Sequence, residues 1–315
     1  MLVAGLPADF PAAICVVVHT APQSPGVLHE ILSRAGTLPA VMASSGQRIR
    51  GECIYVAPPD HHLLIEPGVL RLTKGPRENR FRPAVDPLFR SAAQVYGPKA
   101  IGVILTGDLD DGTAGLWAIK QLGGTAIVQE PSDAMFPSMP ANAMAHVQVD
   151  HVVPAGELAE LLIRLTAVPA EERAPVPVPD RMNVEIGIAN EQNAIDAGLL
   201  AYAEPSSYAC PECHGVLLEM KEGNRTRFRC HTGHAYSAAS LIAAITEGME
   251  HALWTAIRAL EEGALLMDRM ADHVDREHDG GAAGPLSHQA KVARDRGEAI
   301  RKMVAAMQPL TDVPS

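Results

Sequence analysis

Positive charge is in deficit along this chain. Its 315 residues hold 26 Lys and Arg against 37 Asp and Glu, a formal net charge of −11 with a pI near 5.6. A surface of that sign excludes non-specific binding to nucleic acid or to an anionic membrane, both of which need a basic face, and no short basic cluster restores one. No uncharged apolar run reaches the roughly 18 residues of a membrane span, so membrane insertion is not expected. The N-terminal MLVAGLPADFPAA has no basic region and is broken by Pro7, Asp9 and Pro11, unlike a signal peptide. A disulfide framework is also unsupported. The five cysteines, three of them grouped late in the chain, suit a reducing compartment where thiols pack or bind metal. A cytoplasmic protein is expected. There is no internal repeat, and no G-x-S-x-G nucleophile motif occurs anywhere.

The residues present suffice for a large domain and a smaller one, with 47% hydrophobic and 20% charged. From Ile14 to Leu165 the apolar runs ICVVV, CIYVA, AIGVIL, TAIV and VQVDHVV alternate with helical patterns over Val27–Arg34, Asp86–Tyr96, Gly112–Leu122, Pro140–His146 and Gly156–Leu165. That alternation predicts an α/β fold, a doubly wound, mostly parallel sheet with helices on both faces. LLIEPGVLRL, two short apolar runs about a Pro-Gly turn, predicts a β-hairpin. TAVPAEERAPVPVPD, Thr166 to Asp180, has four prolines and little periodicity, and so reads as a semi-extended linker. Beyond it lie a compact Cys/His cluster and two long helical patterns joined by HDGGAAGP, a predicted helical hairpin. The expected domains are 1–165, a linker over 166–207, a small zinc-ribbon-like module over 208–236, and a helical hairpin with tail over 237–315.

Two predicted strands end in chemistry. In ICVVVHTAPQSPG the first run stops at His19, and in AIGVILTGDLDDGTAG another stops before Asp108, Asp110 and Asp111. Catalytic groups of open parallel sheets gather at such carboxyl edges. Helix capping accounts for one Asp at a helix start. The other reading makes an Asp the orienter and His19 the general base of a hydrolase triad.

VVVHTAP, CIYVAPPDHHLL, GPRENRFRPAVDPLFRSAA, GVILTGDLDDGTAG and FPSMPANAM, in this order, resemble the catalytic domain of the chemotaxis methylesterase CheB family over roughly Leu2 to Leu165. The resemblance implies a Ser-His-Asp hydrolase that cleaves glutamyl methyl esters on chemoreceptors and deamidates glutamines. It makes His19 and Asp111 the catalytic histidine and aspartate, and Asp108 the residue whose backbone N–H helps hold the oxyanion. The implied partner is a methylated chemoreceptor or other signalling protein. The family's serine lies in a G-A-S-x-G-G type motif upstream of the histidine strand, and no residue here matches it. Residues 1–165 are therefore read as such a domain without its first strand, with no nucleophile. Ser24, Ser44 and Ser45 are the serines nearest suitable strand ends. The expectation is a true start upstream of Met1; the alternative is a non-catalytic binding module.

CPECHGVLLEMKEGNRTRFRCHTGH, Cys210 to His234, places Cys210 and Cys213 on one knuckle and, sixteen residues later, Cys230 and His234 on another. This spacing predicts a structural Cys₃His zinc site, all four positions filled by protein, with a hairpin about Glu222-Gly223-Asn224 bringing the pairs together. His214 and His231 are left over. Chelation is expected to unfold this module alone. The apolar positions Leu241, Ile245, Met249, Leu253, Ile257, Leu260, Leu265 and Leu266 are expected to pack the C-terminal helices together or to form a homo-oligomer.

Overall fold

The computed structural model describes residues 2–168, 176–223, 225–277 and 283–307. Its first half runs β1 (Ala13–Val16), α1 (Leu28–Ala35), β2 (Ala40–Met42), β3 (Cys53–Val56), β4 (His62–Glu66), β5 (Val69–Thr73), α2 (Val85–Tyr96), β6 (Ile101–Ile104), α3 (Thr113–Gln121), β7 (Thr125–Gln129), α4 (Ser138–His146), β8 (His151–Val153) and α5 (Leu158–Ala167). β4 and β5 form the predicted antiparallel hairpin.

The parallel strands fall into two three-stranded sets, in the orders β1-β3-β2 and β6-β7-β8. Side-chain alternation sends Cys15, Tyr55, Ile104 and Val128 into one apolar cluster with Leu88, Phe89, Leu116 and Met139 from α2, α3 and α4. Ile14, Ile54, Val103 and Ile127 point the other way, into a second cluster with Leu32 of α1 and Leu158 and Leu161 of α5. Both sets thus contribute to both cores, and helices cover both faces. β1 pairs only with β3, and β6 only with β7. Their other edges carry no ladder among the described residues.

The second half continues with α6 (Asp180–Ala189), β9 (Glu204–Ala209), β10 (Val216–Glu222), β11 (Arg225–Cys230) and β12 (Ala235–Ser237), the strands forming an antiparallel sheet in the order β12-β11-β10-β9. α6 departs from the extended linker that the prolines suggest. Pro179 stands just before its first residue, and Met182, Val184, Ile188 and Ala189 are buried, so packing overrides a weak local pattern. Residues 169–175 of that stretch lie outside the described residues.

Residues through Leu241 form one compact unit, which includes the β9–β12 ribbon. Buried charge secures it. Glu78, before α2, meets Arg90 of α2 at 2.5 Å and Arg229 of β11 at 3.0 Å, and Glu185 of α6 takes Arg227 of β11 at 2.8 Å and Arg90 at 3.1 Å. These pairs tie the ribbon to α2 and α6 within one unit.

A second unit comprises Ile242 onward. It contains the rest of α7 (Ala238–Glu277) and all of α8 (Gly284–Ala306), the predicted helical hairpin, whose connecting residues 278–282 lie outside the described set. The helices meet through small residues, Ala264 against Ala290 and Ala293 with Leu260 and Met267, and through the ion pairs Arg294–Asp268 and Arg301–Glu261. Of the expected stripe, Ile257 is buried and Leu260 packs at this contact, while Ile245, Met249, Leu265 and Leu266 are exposed. No helix among the described residues is long and apolar enough to cross a membrane.

Candidate active site and metal centre

His19 and Asp111 are brought together. His19 lies in the loop after β1 and Asp111 in the loop after β6, and the His19 Nε2 stands 2.6 Å from Asp111 Oδ2, with side chains 20% and 2% exposed. The imidazole stacks on Phe81, centroids 3.9 Å apart and planes 2° from parallel. With Nε2–H donated to the carboxylate, Nδ1 carries the lone pair, which is the state a general base requires.

Asp111 is positioned by more than the histidine. It accepts the Val85 N–H at 2.7 Å and the Asp86 N–H at 3.3 Å, so it caps α2 rather than α3. Asp86 in return accepts the Gly115 N–H of α3 at 2.6 Å. The capping expected of the Asp108–Asp111 turn is therefore crossed between two helices, and the N-cap of α3 is Gly112, in the left-handed region at φ 88°. Asn79 joins the carboxylates. Its Nδ2 donates to Asp86 Oδ2 at 3.0 Å and to Asp111 Oδ1 at 3.1 Å. Burial works to raise the pKa of Asp111, but the His19 hydrogen bond and charge, the Val85 N–H and Asn79 hold it below the usual range. Burial and the charge of Asp111 push Asp86 up to about 7. The two carboxyls are thus driven apart, with Asp111 as the anion.

Asp108 is exposed in the same loop. Asp110 is raised by burial and accepts the Ser237 hydroxyl at 2.6 Å. Ser44 bonds Gln47 and Ser45 the backbone of Leu72, so neither hydroxyl serves His19. Sequence reasoning missed Asn79, Phe81 and Asp86. All three lie in GPRENRFRPAVDPLF, which carried the resemblance but no separate signal of what each side chain touches.

Residues 1–162 match the model of the CheB methylesterase family. The chain belongs to the CheB methylesterase family. A Leptospira interrogans relative that bears the name protein-glutamate methylesterase/protein-glutamine glutaminase provisionally is 40% identical over 169 residues, 53% of this chain and 88% of its own. A protein-glutamate methylesterase/protein-glutamine glutaminase of Thermotoga maritima is 35% identical over 52% of this chain and 49% of its own. The crystal structure of the Thermotoga maritima CheB methylesterase catalytic domain superposes with a TM-score of 0.50 at 35% identity, covering 52% of this chain and 89% of that one.

Beyond the CheB methylesterase region, the ribbon gathers the four predicted ligands. The donor atoms of Cys210, Cys213, Cys230 and His234 all lie within 4.8 Å of one another. Cys213 Sγ–Cys230 Sγ is 3.6 Å, Cys230 Sγ–His234 Nδ1 3.5 Å and Cys210 Sγ–His234 Nδ1 3.7 Å. Tetrahedral zinc bonds of about 2.1–2.3 Å set ligand separations of roughly 3.5–3.8 Å, so the donor set fits a metal ion. The Cys230 thiol and the His234 ring, with the amides of Glu212 and Cys213, hold Cys210 down to about 3 against its burial, as a thiolate. Glu212 stands 3.5 Å from His234 Nε2, on the side of the ring away from the cluster. His214 and His231 are not in the group.

Proposed function

We propose that this chain is a protein-glutamate methylesterase of chemotaxis signalling, acting in the cytoplasm on methylated chemoreceptors and able to deamidate receptor glutamines at the same site. The observation that carries this reading is the 2.6 Å contact between His19 and a buried, ionised Asp111 at the carboxyl edge of the parallel strands. In the proposed mechanism a serine hydroxyl gives its proton to His19 Nδ1 as its oxygen attacks the ester carbonyl. Asp111 keeps the ring in that tautomer and stabilises the imidazolium. The Asp108 N–H holds the oxyanion. Protonated His19 then returns the proton to the departing methoxide, giving methanol, and water deacylates the enzyme by the same route.

Zinc held by Cys210, Cys213, Cys230 and His234 is structural in this reading, because four protein ligands leave no position for water.

The test is methanol release from a methylated chemoreceptor by the purified protein. Wild type should release methanol and His19→Ala should not, with receptor binding intact. Receptor binding without methanol release by wild type would overturn the esterase reading and make the domain a binding module.

A further inference from the structure

The loop that serves the dyad is built against the ribbon. Asn79 sits at φ 49° and Arg80 at φ 77°, in the left-handed region. This costly backbone is held from outside: the Asn79 N–H donates to Ala235 O at 2.8 Å and the Ala235 N–H to Arg77 O at 3.1 Å, a parallel bridge between the loop and β12. Two residues on, the loop delivers Phe81 beneath His19.

The side chain of Asn79 makes the link specific. A carboxamide is nearly the same shape in its two flipped states, and only the inner end touches Asp86 and Asp111. Its Oδ1 accepts the Ser237 N–H at 3.1 Å and the Ser240 hydroxyl at 3.2 Å. Those donors pin the oxygen outward and the NH₂ towards the carboxylates; the flipped state would set an oxygen against Asp111. Ser237 and Ser240 hold each other in turn: Ser237 Oγ accepts the Ser240 N–H at 3.0 Å and Ser240 Oγ accepts the Ser237 N–H at 2.8 Å, a reciprocal cap at the start of α7.

The same strand leads directly from the metal centre. His234 adjoins Ala235, and Arg229, beside Cys230, donates to Gly233 O at 2.7 Å within the knuckle and to Glu78, beside Asn79, at 3.0 Å. We propose that the ribbon is a positioning element of the esterase site: Ser237 and Ser240 orient Asn79, Asn79 orients Asp111, and metal in the knuckle keeps β12 in place to do so. This rests on the catalytic reading of His19 and Asp111. Ser237 and Ser240 are positioning residues, since they reach the reacting atoms only through Asn79.

The test reads the His19 Nε2–H proton by NMR of the full chain, which needs no turnover. In zinc-loaded wild type this proton should resonate far downfield and exchange slowly. In the Ser237→Ala, Ser240→Ala double variant, which removes the Ser240 hydroxyl donor to Asn79 Oδ1 and the Ser237 Oγ that holds the Ser240 N–H but leaves the Ser237 N–H in place, it should exchange about ten-fold faster, the change expected from losing one buried hydrogen bond, with zinc content and helical signal unchanged. Chelating the metal from wild type should do the same. Ser206→Ala, whose hydroxyl bonds Leu217 O inside the ribbon, should leave the proton as in wild type. If the double variant does not fold, Ser240→Ala alone removes one donor and should move exchange in the same direction. Unchanged exchange and shift in the folded serine variant, or after the metal has been stripped, would overturn the coupling. Faster exchange in a protein with no esterase activity would support the coupling and count only against the catalytic reading.

Discussion

Glu78 and Arg229 meet at 3.0 Å with 1% and 0% of their side chains exposed. They lie 151 residues apart in sequence and join the loop that serves His19 to the strand that carries Cys230. A buried pair of this kind contributes little net stability over an apolar substitute, but removing one partner strands the other, at a cost of about 3–5 kcal/mol.

Acid stability follows from that pair. Burial would raise Glu78, yet Arg229 and Arg90 hold it down, from 4.5 to about 2. A depressed carboxyl stabilises the fold fully above its unfolded value and loses that contribution as pH falls towards its folded value. Asp86 acts oppositely: raised from 3.8 to about 7, it penalises the fold increasingly as pH climbs between those values. Glu78→Gln should lower the urea midpoint at neutral pH and make its decline shallower between about pH 5 and about pH 3. A midpoint and slope equal to wild type would mean that the buried layer is not ionised as described.

The crossed caps require α2 and α3 to touch. A Cβ on Gly115 would stand 2.5 Å from Phe89 Cβ and 3.0 Å from the Asp86 carbonyl oxygen, neither of which is the end of a flexible chain. Gly115→Ala should cost about 1–3 kcal/mol by overpacking, read as a lower thermal midpoint. Since Asp86 accepts the Gly115 N–H, esterase activity should fall with it; a variant as stable as wild type would contradict this packing.

For the metal, elemental analysis should find about one zinc per chain, as one four-ligand set requires. Cys213→Ser should lose it and His214→Ala should keep it. Full zinc content in Cys213→Ser would remove that residue from the ligand set.

His19 was legible because it follows an apolar run that reads as a buried parallel strand whose carboxyl edge also gathers aspartates; which of Asp108, Asp110 and Asp111 partners it came only from the resemblance to the CheB family. Ligand spacing revealed the four metal-site residues for a similar, local reason. Asn79 and Phe81 were not legible, since a loop in left-handed conformation has no periodicity to betray which side chains turn inward. Arg225, Arg227 and Arg229 read as a hydrophilic hairpin, yet they alternate onto one face of β11: Arg225 pairs with nearby Glu222 of β10, while Arg227 and Arg229 find their acids in α6 and before α2. Charge compensation across such distances leaves no trace in a local pattern. The alanines that close the α7–α8 hairpin were likewise hidden behind the larger apolar residues beside them.

The most direct test of the account is the turnover of the purified Asp111→Asn variant on a methylated chemoreceptor. Asn at this position removes the anion that fixes the His19 tautomer and stabilises its charged form, and a fall in kcat of about 10⁴ is predicted, with KM and the far-ultraviolet spectrum near those of wild type. A folded Asp111→Asn variant that retained kcat within about ten-fold of wild type would contradict the account, because the 2.6 Å contact between Asp111 and His19 would then not be what drives the reaction.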